Sequence, residues 1–265
     1  SIYMSMNSVS KPTMEYNLNV DKYTKYLSEV KKINPDVAVS VKKIIDSTTV
    51  IHFKEFIELL EISVEKLSKS LEGRSFTAVI TSKQKSDFWT INLINEFKPG
   101  FITHIVSLDD IKDKKVELPN NDIVFFDDGS FSGIHTITVL EDIYPYISHI
   151  SPIIHIVIAL TTDTAIGNTS YVFDNDLNMN YNIFFGKKIS KNLSFYLTDE
   201  EITLVEEFYQ LEEGDNELRD QYAVFFDHKM PGPFSSVPFV YAGLIPATGE
   251  EYPIIEGCDK GLYKK

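Results

Sequence analysis

Two adjacent carboxylates, Asp127 and Asp128, follow the apolar run Ile123-Val124-Phe125-Phe126 and precede a loop of small residues, Gly129-Ser130-Phe131-Ser132-Gly133. The apolar run reads as a buried strand. Beyond the loop, the spacing of Ile134, Ile137, Val139, Leu140 and Ile143 reads as a helix. In an open α/β sheet, ligands bind just outside the carboxyl ends of the strands. The amides of a Gly/Ser loop that opens a helix form an anion site. Carboxylates beside such a cradle call for a ligand carrying both hydroxyls and a phosphate, such as a ribose 5-phosphate.

The elements that must position this loop follow from hydrophobic period. The first twenty residues are polar and aperiodic and read as an arm. From Val20 to about Leu71 the pattern is helical, through Tyr23, Leu27 and Val30, then Val37, Val41 and Ile44, then Phe53 to Leu71, stopping at Gly73. The period then shortens. Phe76 to Ile80 predicts a strand, Phe88 to Phe97 a helix, Ile102 to Leu108 a second strand and Ile123 to Phe126 a third. Ser132 to Ile147 predicts a helix and Ile153 to Leu160 a fourth strand, in which His155 is expected to be packed and hydrogen-bonded. Continuous apolar strands alternating with helices imply a largely parallel sheet covered on both faces. Further on, Tyr181 to Phe185 and Tyr222 to Phe226 read as strands. Thr198-Asp199-Glu200-Glu201 is a capping box for a helix to about Leu211. The expected fold is therefore α/β, with an N-terminal helical extension over residues 1–72. The α/β domain, with an α+β tail, would span 73–265.

The segment from Ile123 to Thr136 resembles the phosphoribosyl-pyrophosphate (PRPP) signature of type I phosphoribosyltransferases: four apolar residues, two acids, then a small-residue loop. The resemblance implies that Asp127 and Asp128 hold the ribose hydroxyls. It further implies that Gly129, Ser130, Ser132, Gly133, His135 and Thr136 wrap the 5-phosphate. Gly129 and Ser130 replace residues that are usually apolar in that family, and Phe131 stands where Thr or Asp is common. The wording Asp-Asp-Gly-Ser-aromatic-Ser-Gly is closest to the divergent phosphoribosyltransferase-like proteins of microbial conflict and stress systems. Those chains also share a late segment, here His228-Lys229-Met230-Pro231.

Two further pieces follow from the same resemblance. The loop after the first core strand, with Ser82, Lys83, Lys85 and Ser86, takes the place of the loop that grips pyrophosphate, where lysines offer point charge. The segment Asp109 to Asn121 takes the place of a mobile catalytic loop. Within it Lys112, Lys114 or Lys115 would stabilise the departing pyrophosphate, and Lys112 is assigned that catalytic role. The segment is short for a lid. The variable tail would supply the "hood" that selects the base.

The implied activity is transfer of phosphoribosyl from PRPP to a nitrogen acceptor, with Mg²⁺ as cofactor. Ligand oxygens and water would hold the cation, and no protein site would hold it alone. Two alternatives share the pocket: a nucleotide N-glycosidase, and a regulator that binds PRPP or a nucleotide without turnover.

Composition narrows the partners. The chain has 265 residues, enough for one sizeable core, and 39 acids against 25 basic residues give a formal charge of −14. A field this acidic repels polyanions, which argues against nucleic acid. Nothing approaches a transmembrane run, and Ser1 to Asn7 show no secretory pattern. Cys258 is the only cysteine, so no intrachain disulfide forms, and a cytoplasmic setting is expected. The sequence is compatible with a homodimer.

Several other chemistries are excluded by the residues themselves. A haloacid-dehalogenase phosphatase needs an Asp two places before the Asp of its Asp-Gly pair, and Phe126 stands there. Asp174 to Asn178 begins like a calcium loop but lacks the Gly and Glu that follow in one. Neither a G-x-S-x-G elbow nor a Walker loop is present.

Overall fold

The computed structural model describes residues 20–83, 85–209 and 217–226. In chain order the helices are α1 (Val20–Ile33), α2 (Pro35–Asp46), α3 (Phe53–Leu71), α4 (Ser86–Phe97), α5 (Leu108–Lys112), α6 (Ile134–Ile147), α7 (Asp163–Tyr171) and α8 (Asp199–Tyr209). The strands are β1 (Thr49–Ile51), β2 (Thr77–Ile80), β3 (Ile105–Ser107), β4 (Asp122–Ser130), β5 (Ile153–Thr162), β6 (Asn180–Ile189) and β7 (Val224–Phe226). Among the described residues, no helix is long and apolar enough to cross a membrane.

The chain divides into two compact units, and not at residue 72 as expected. Among the described residues, one takes 54–189 and the other takes 20–53 with those after 189. The helical extension therefore separates at Phe53. Its first part, α1 and α2, belongs with the C-terminal segment, and α3 belongs with the sheet.

The smaller unit is built on side chains of α1, α2 and α8. Tyr26, Val30, Val41 and Ile44 pack with Ile202, Val205 and Phe225 in a common core. The strand β1, which sequence periodicity read as part of a helical stretch, pairs in parallel with β7, Val50 lying opposite Phe225. β-Branched Thr49 and Val50 favour this extended state. The capping box forms as expected: Glu201 N–H donates to Thr198 Oγ1 and Thr198 N–H to Glu201 Oε1, both at 3.2 Å. The His228 segment and the tail that follows lie outside the described residues, as does the N-terminal arm.

The larger unit is a five-stranded, wholly parallel sheet in the order β3-β2-β4-β5-β6. The α/β class is thus confirmed. Sequence periodicity stopped three of these strands, β4, β5 and β6, short. β4 continues past its apolar residues to Ser130, and β5 continues to Thr162, because the two stay paired to the end, with Gly129 opposite Leu160 and Ser130 opposite Thr161. β6 runs ten residues and closes the sheet. At its centre Gly186 lies against the backbone of α3: a Cβ there would sit 2.2 Å from the Leu59 carbonyl oxygen. α7 was not anticipated, and neither was the π-helical turn Val172–Leu177 that replaces the rejected calcium loop. Its sequence has only a weak apolar period.

One face of the sheet, with Val79, Ile123, Ile154, Ile156 and Ile158, packs against Val139, Leu140 and Ile143 of α6. At the amino end of β4 a polar cluster is built into the sheet. Buried Asp122 accepts from Arg74 Nε at 3.1 Å, and its Oδ1 lies 2.8 Å from Nε2 of the fully buried His155. Asn182 Nδ2 lies 3.3 Å from His155 Nδ1. This arrangement assigns the ring proton to Nε2, which donates to Asp122.

Burial raises the pKa of the Asp122 carboxyl, but hydrogen bonds from Arg74 and His155 outweigh it and hold the group below the usual carboxylate range. A carboxyl lowered in the folded state stabilises the fold fully above its unfolded pKa of about 3.9. That contribution is lost as pH falls through the lower folded value. Asp122→Ala, which strips His155 of its acceptor, is expected to cost about 1–3 kcal/mol at neutral pH. In urea unfolding, the wild-type advantage should shrink only below about pH 4. An advantage that stays constant into strong acid would show that the carboxylate charge contributes nothing.

Candidate functional site

The strand order reverses between β2 and β4. β2 connects outward to β3 on one side, while β4 connects to β5 on the other. Ligands of open α/β sheets bind at such a switch point, beyond the carboxyl ends of the two strands. Here those ends are the Thr81–Ser86 loop and the Ser130–Gly133 loop, the two segments singled out in the sequence.

The β2 loop is cinched by a residue that sequence reasoning missed. Asp87, in the first turn of α4 and 6% exposed, takes two donors from Thr81 on its Oδ2: the N–H at 2.5 Å and Oγ1 at 2.7 Å. Its Oδ1 accepts Phe88 N–H at 2.8 Å. A carboxylate is favoured at a helix start, and the pair Ser86-Asp87 ahead of an apolar run was the available signal. Lys85 N–H closes the turn on the Ser82 carbonyl at 3.2 Å. The Lys83 and Lys85 side chains are left exposed.

Ser86 joins the two loops. Its hydroxyl donates to Asp127 Oδ1 at 2.7 Å, and Asp128 N–H donates to the same oxygen at 2.8 Å. The structure thus brings together the first acid of the pair and the start of α4, forty-one residues apart.

The two acids do not share a face. Because β4 runs on to Ser130, they lie within the strand, where successive side chains alternate. Asp127 lines a small cavity of about 30 Å³ beneath the start of α6, with Thr81, Asp87, His135 and Thr136 around it. That volume holds about one water. Asp128 is 1% exposed, and its Oδ1 accepts Gly129 N–H at 2.9 Å. The two acids that the family resemblance assigns to the ribose hydroxyls therefore take different sides: Asp127 reaches the crevice side, and Asp128 is packed within the sheet.

The loop itself is held tightly. Gly133 is the N-cap of α6 with φ +81°, a conformation that favours glycine, and a Cβ there would lie 2.8 Å from Thr169 Oγ1 and 3.0 Å from the Ala165 carbonyl. Ser132 Oγ accepts Ile134 N–H at 3.3 Å. Phe131, the departure from the family pattern, is 9% exposed, its ring packed over the Cα of Gly129. It is an anchor for the loop, which explains an aromatic residue among small ones. His135 is exposed and Thr136 half-buried at the first turn of α6, where backbone N–H groups lack intrahelical partners.

Lys112 is not brought to this crevice. The segment after β3 folds as α5, and Lys112 Nζ pairs with Asp142 at 2.9 Å. Asp142 lies eight residues beyond Ile134, about 12 Å along α6 at the helical rise. Lys115 pairs with Asp113 at 3.1 Å. Lys114, with φ +54°, lines a larger hollow of about 620 Å³ with Val116, Leu118, Tyr146 and His149. These loops lead into the amino ends of β4 and β5, away from the switch point. The hollow is bigger than the crevice, but the crevice has the helix start, the strand ends and the converging polar groups, which make it the candidate site.

Among the described residues, no group of three or more His, Cys, Asp or Glu side chains is placed to hold a metal ion. A cation at the crevice would find the Asp127 and Asp87 carboxylates at the cavity wall, with the rest of its shell from ligand oxygens and water, a shell that suits Mg²⁺.

Gly133→Ala tests how strictly the loop is built. The left-handed backbone and the contact with Thr169 together are expected to cost about 1–3 kcal/mol. Thermal unfolding of the two proteins measures it, and equal midpoints would show that the loop has another conformation open to it.

Compared with known proteins, the chain matches no family model and no curated protein.

Proposed function

We propose that the switch-point crevice binds a phosphorylated ribose, PRPP in the first instance, and that the chain is a phosphoribosyltransferase-like enzyme acting on a nitrogen acceptor. The observation that carries this reading is the 2.7 Å hydrogen bond from Ser86 to Asp127. It joins the loop suited to pyrophosphate to the acid suited to ribose, beside a helix start suited to phosphate.

In this reading the 5-phosphate lies on the loop from Ser130 through Thr136, against the first amides of α6. Asp127 accepts a ribose hydroxyl, exchanging or sharing its Ser86 partner. Asp128 supports from within the sheet by fixing the Gly129 amide. Ser82, Ser86, Lys83 and Lys85 surround the pyrophosphate. The bond from the anomeric carbon to the pyrophosphate oxygen breaks, a bond from that carbon to the acceptor nitrogen forms, and the nitrogen's proton leaves to solvent. Positive charge develops on the ribose ring, and the negative Asp127 stabilises it. The chemistry asks mainly for positioning and electrostatic stabilisation. Mg²⁺ bound with the ligand would offset charge on the leaving group.

A second reading has one specific observation behind it. The β3–β4 segment folds back as α5, with Lys112 engaged by Asp142. A site without a cation-bearing lid favours binding without turnover.

Calorimetric titration of PRPP into the protein, with and without Mg²⁺, tests the site. Micromolar, Mg²⁺-dependent binding is expected, weakened more than about tenfold in Asp127→Asn and less in Ser86→Ala. No heat, where a control enzyme binds, would sink the PRPP reading. Pyrophosphate release on adding a panel of bases would establish the transferase, free base from a nucleotide the glycosidase, and tight binding with neither the regulator.

A further inference from the structure

The loop that faces the crevice is held from behind, carbonyl by carbonyl. Thr161 Oγ1 donates to the Ser130 carbonyl at 3.0 Å, Thr162 Oγ1 to the Phe131 carbonyl at 2.5 Å, and Asn168 Nδ2 to the Ser132 carbonyl at 2.9 Å. Three successive carbonyls are thus turned toward β5 and α7. Thr161 and Thr162 are fully buried. Thr162 Oγ1 also accepts Ala165 N–H at 3.1 Å, so the same hydroxyl caps α7 and grips the loop.

The orientation of the amides follows from peptide geometry. The described residues contain no cis peptide. In a planar trans peptide, the carbonyl of one residue and the N–H of the next point in opposite directions. Carbonyls drawn toward β5 and α7 therefore turn the N–H groups of Phe131, Ser132 and Gly133 the other way. β5 lies on one side of β4 and β2 on the other. The amides consequently face the side of the crevice and continue into the amides that open α6.

We infer that Thr162 and Asn168 are positioning residues for anion binding: they touch no ligand, and they fix the loop so that its amides face the phosphate. This rests on the reading of the crevice as a phosphate site and adds the reason the site needs α7. Preorganised dipoles need no reorganisation when the anion arrives. Without the three tethers, each peptide of a Gly/Ser loop is free to rotate and present a carbonyl to the phosphate instead.

The test uses the full chain with Asn168→Ala, Thr162→Val and Thr162→Ser. PRPP affinity, thermal midpoint and the amide NMR signals of Ser132 and Gly133 in the ligand-free protein are measured. Asn168 is exposed, so Asn168→Ala should keep the wild-type midpoint and bind PRPP about three- to tenfold more weakly. Its Ser132 and Gly133 amide signals should move. Thr162→Val should weaken binding at least as much, and Thr162→Ser, which keeps the hydroxyl, should restore it. Wild-type affinity in both Asn168→Ala and Thr162→Val, with unmoved amide signals, overturns the positioning role while leaving the phosphate site standing. Failure of the wild type itself to bind PRPP or inorganic phosphate overturns the phosphate reading, and the positioning role with it.

Discussion

The parallel pairing of β4 with β5 is the constraint on which the rest of the larger unit depends. A strand that ended at Phe126 would let the chain turn at Asp127, and both acids would swing free at the sheet's edge. Pairing continues instead through Asp127–Ile158, Gly129–Leu160 and Ser130–Thr161. The pleat therefore assigns Asp127 and Asp128 to opposite sides. The same register carries Thr161 and Thr162 to the level of the loop, where their hydroxyls replace ladder donors as β4 leaves the sheet. One ladder thus decides which acid reaches the crevice side, where the loop starts and what holds it.

The two ends of the sheet use polar groups differently. At the amino end, the cluster of Arg74, Asp122, His155 and Asn182 is closed on itself, each member spending its hydrogen bonds on a neighbour. At the carboxyl end, Asp87 and the Thr161–Asn168 tethers also saturate backbone groups, but they do so from behind. Lys83, Lys85 and His135 are left exposed at the loops. A buried network that is fully paired rigidifies the fold, whereas groups held in place yet facing outward can receive a ligand. That contrast separates structural from functional polarity here better than burial alone, since Asp87 and Asp122 are almost equally buried.

Much of this was legible in the sequence. The apolar runs of β2, β4 and β5 and the capping box at Thr198 each carry a local signal, and the α/β class follows from their alternation. The positions of the two crevice loops were legible for the same reason. What escaped depends on partners distant in sequence. β1 is three residues long, stabilised by β7 at the far end of the chain. α7 sets small and polar residues, Ala165, Asn168 and Thr169, against the Ser130–Gly133 loop. Asn168 carries no signal in its own surroundings, and its bond to Ser132 spans thirty-six residues. Phe131 looked like a defect in a small-residue loop until the Gly129 contact gave its ring a place. The β3–β4 segment was read as a lid from its position alone, and the pairing of Lys112 with Asp142, thirty residues away, could not be seen in either residue's surroundings.

Electrostatics sets one last condition on any ligand of the crevice. The chain carries a formal charge of −14, and Asp87, Asp127 and Asp128 all lie close to the loops that would take phosphate. An anion entering there meets the partial positive charge of the α6 start and the two exposed lysines, but also the Asp127 carboxylate on the same side. Like charges in so confined a place are unfavourable unless a hydroxyl or a cation stands between them. A ribose supplies the hydroxyl at the right distance from its own phosphate, and a divalent cation carried with a pyrophosphate supplies the countercharge. A bare phosphate supplies neither. In the proposed phosphate site, the acid beside the loop would therefore act as a filter, penalising simple phosphate and favouring a phosphorylated sugar that brings its own cation.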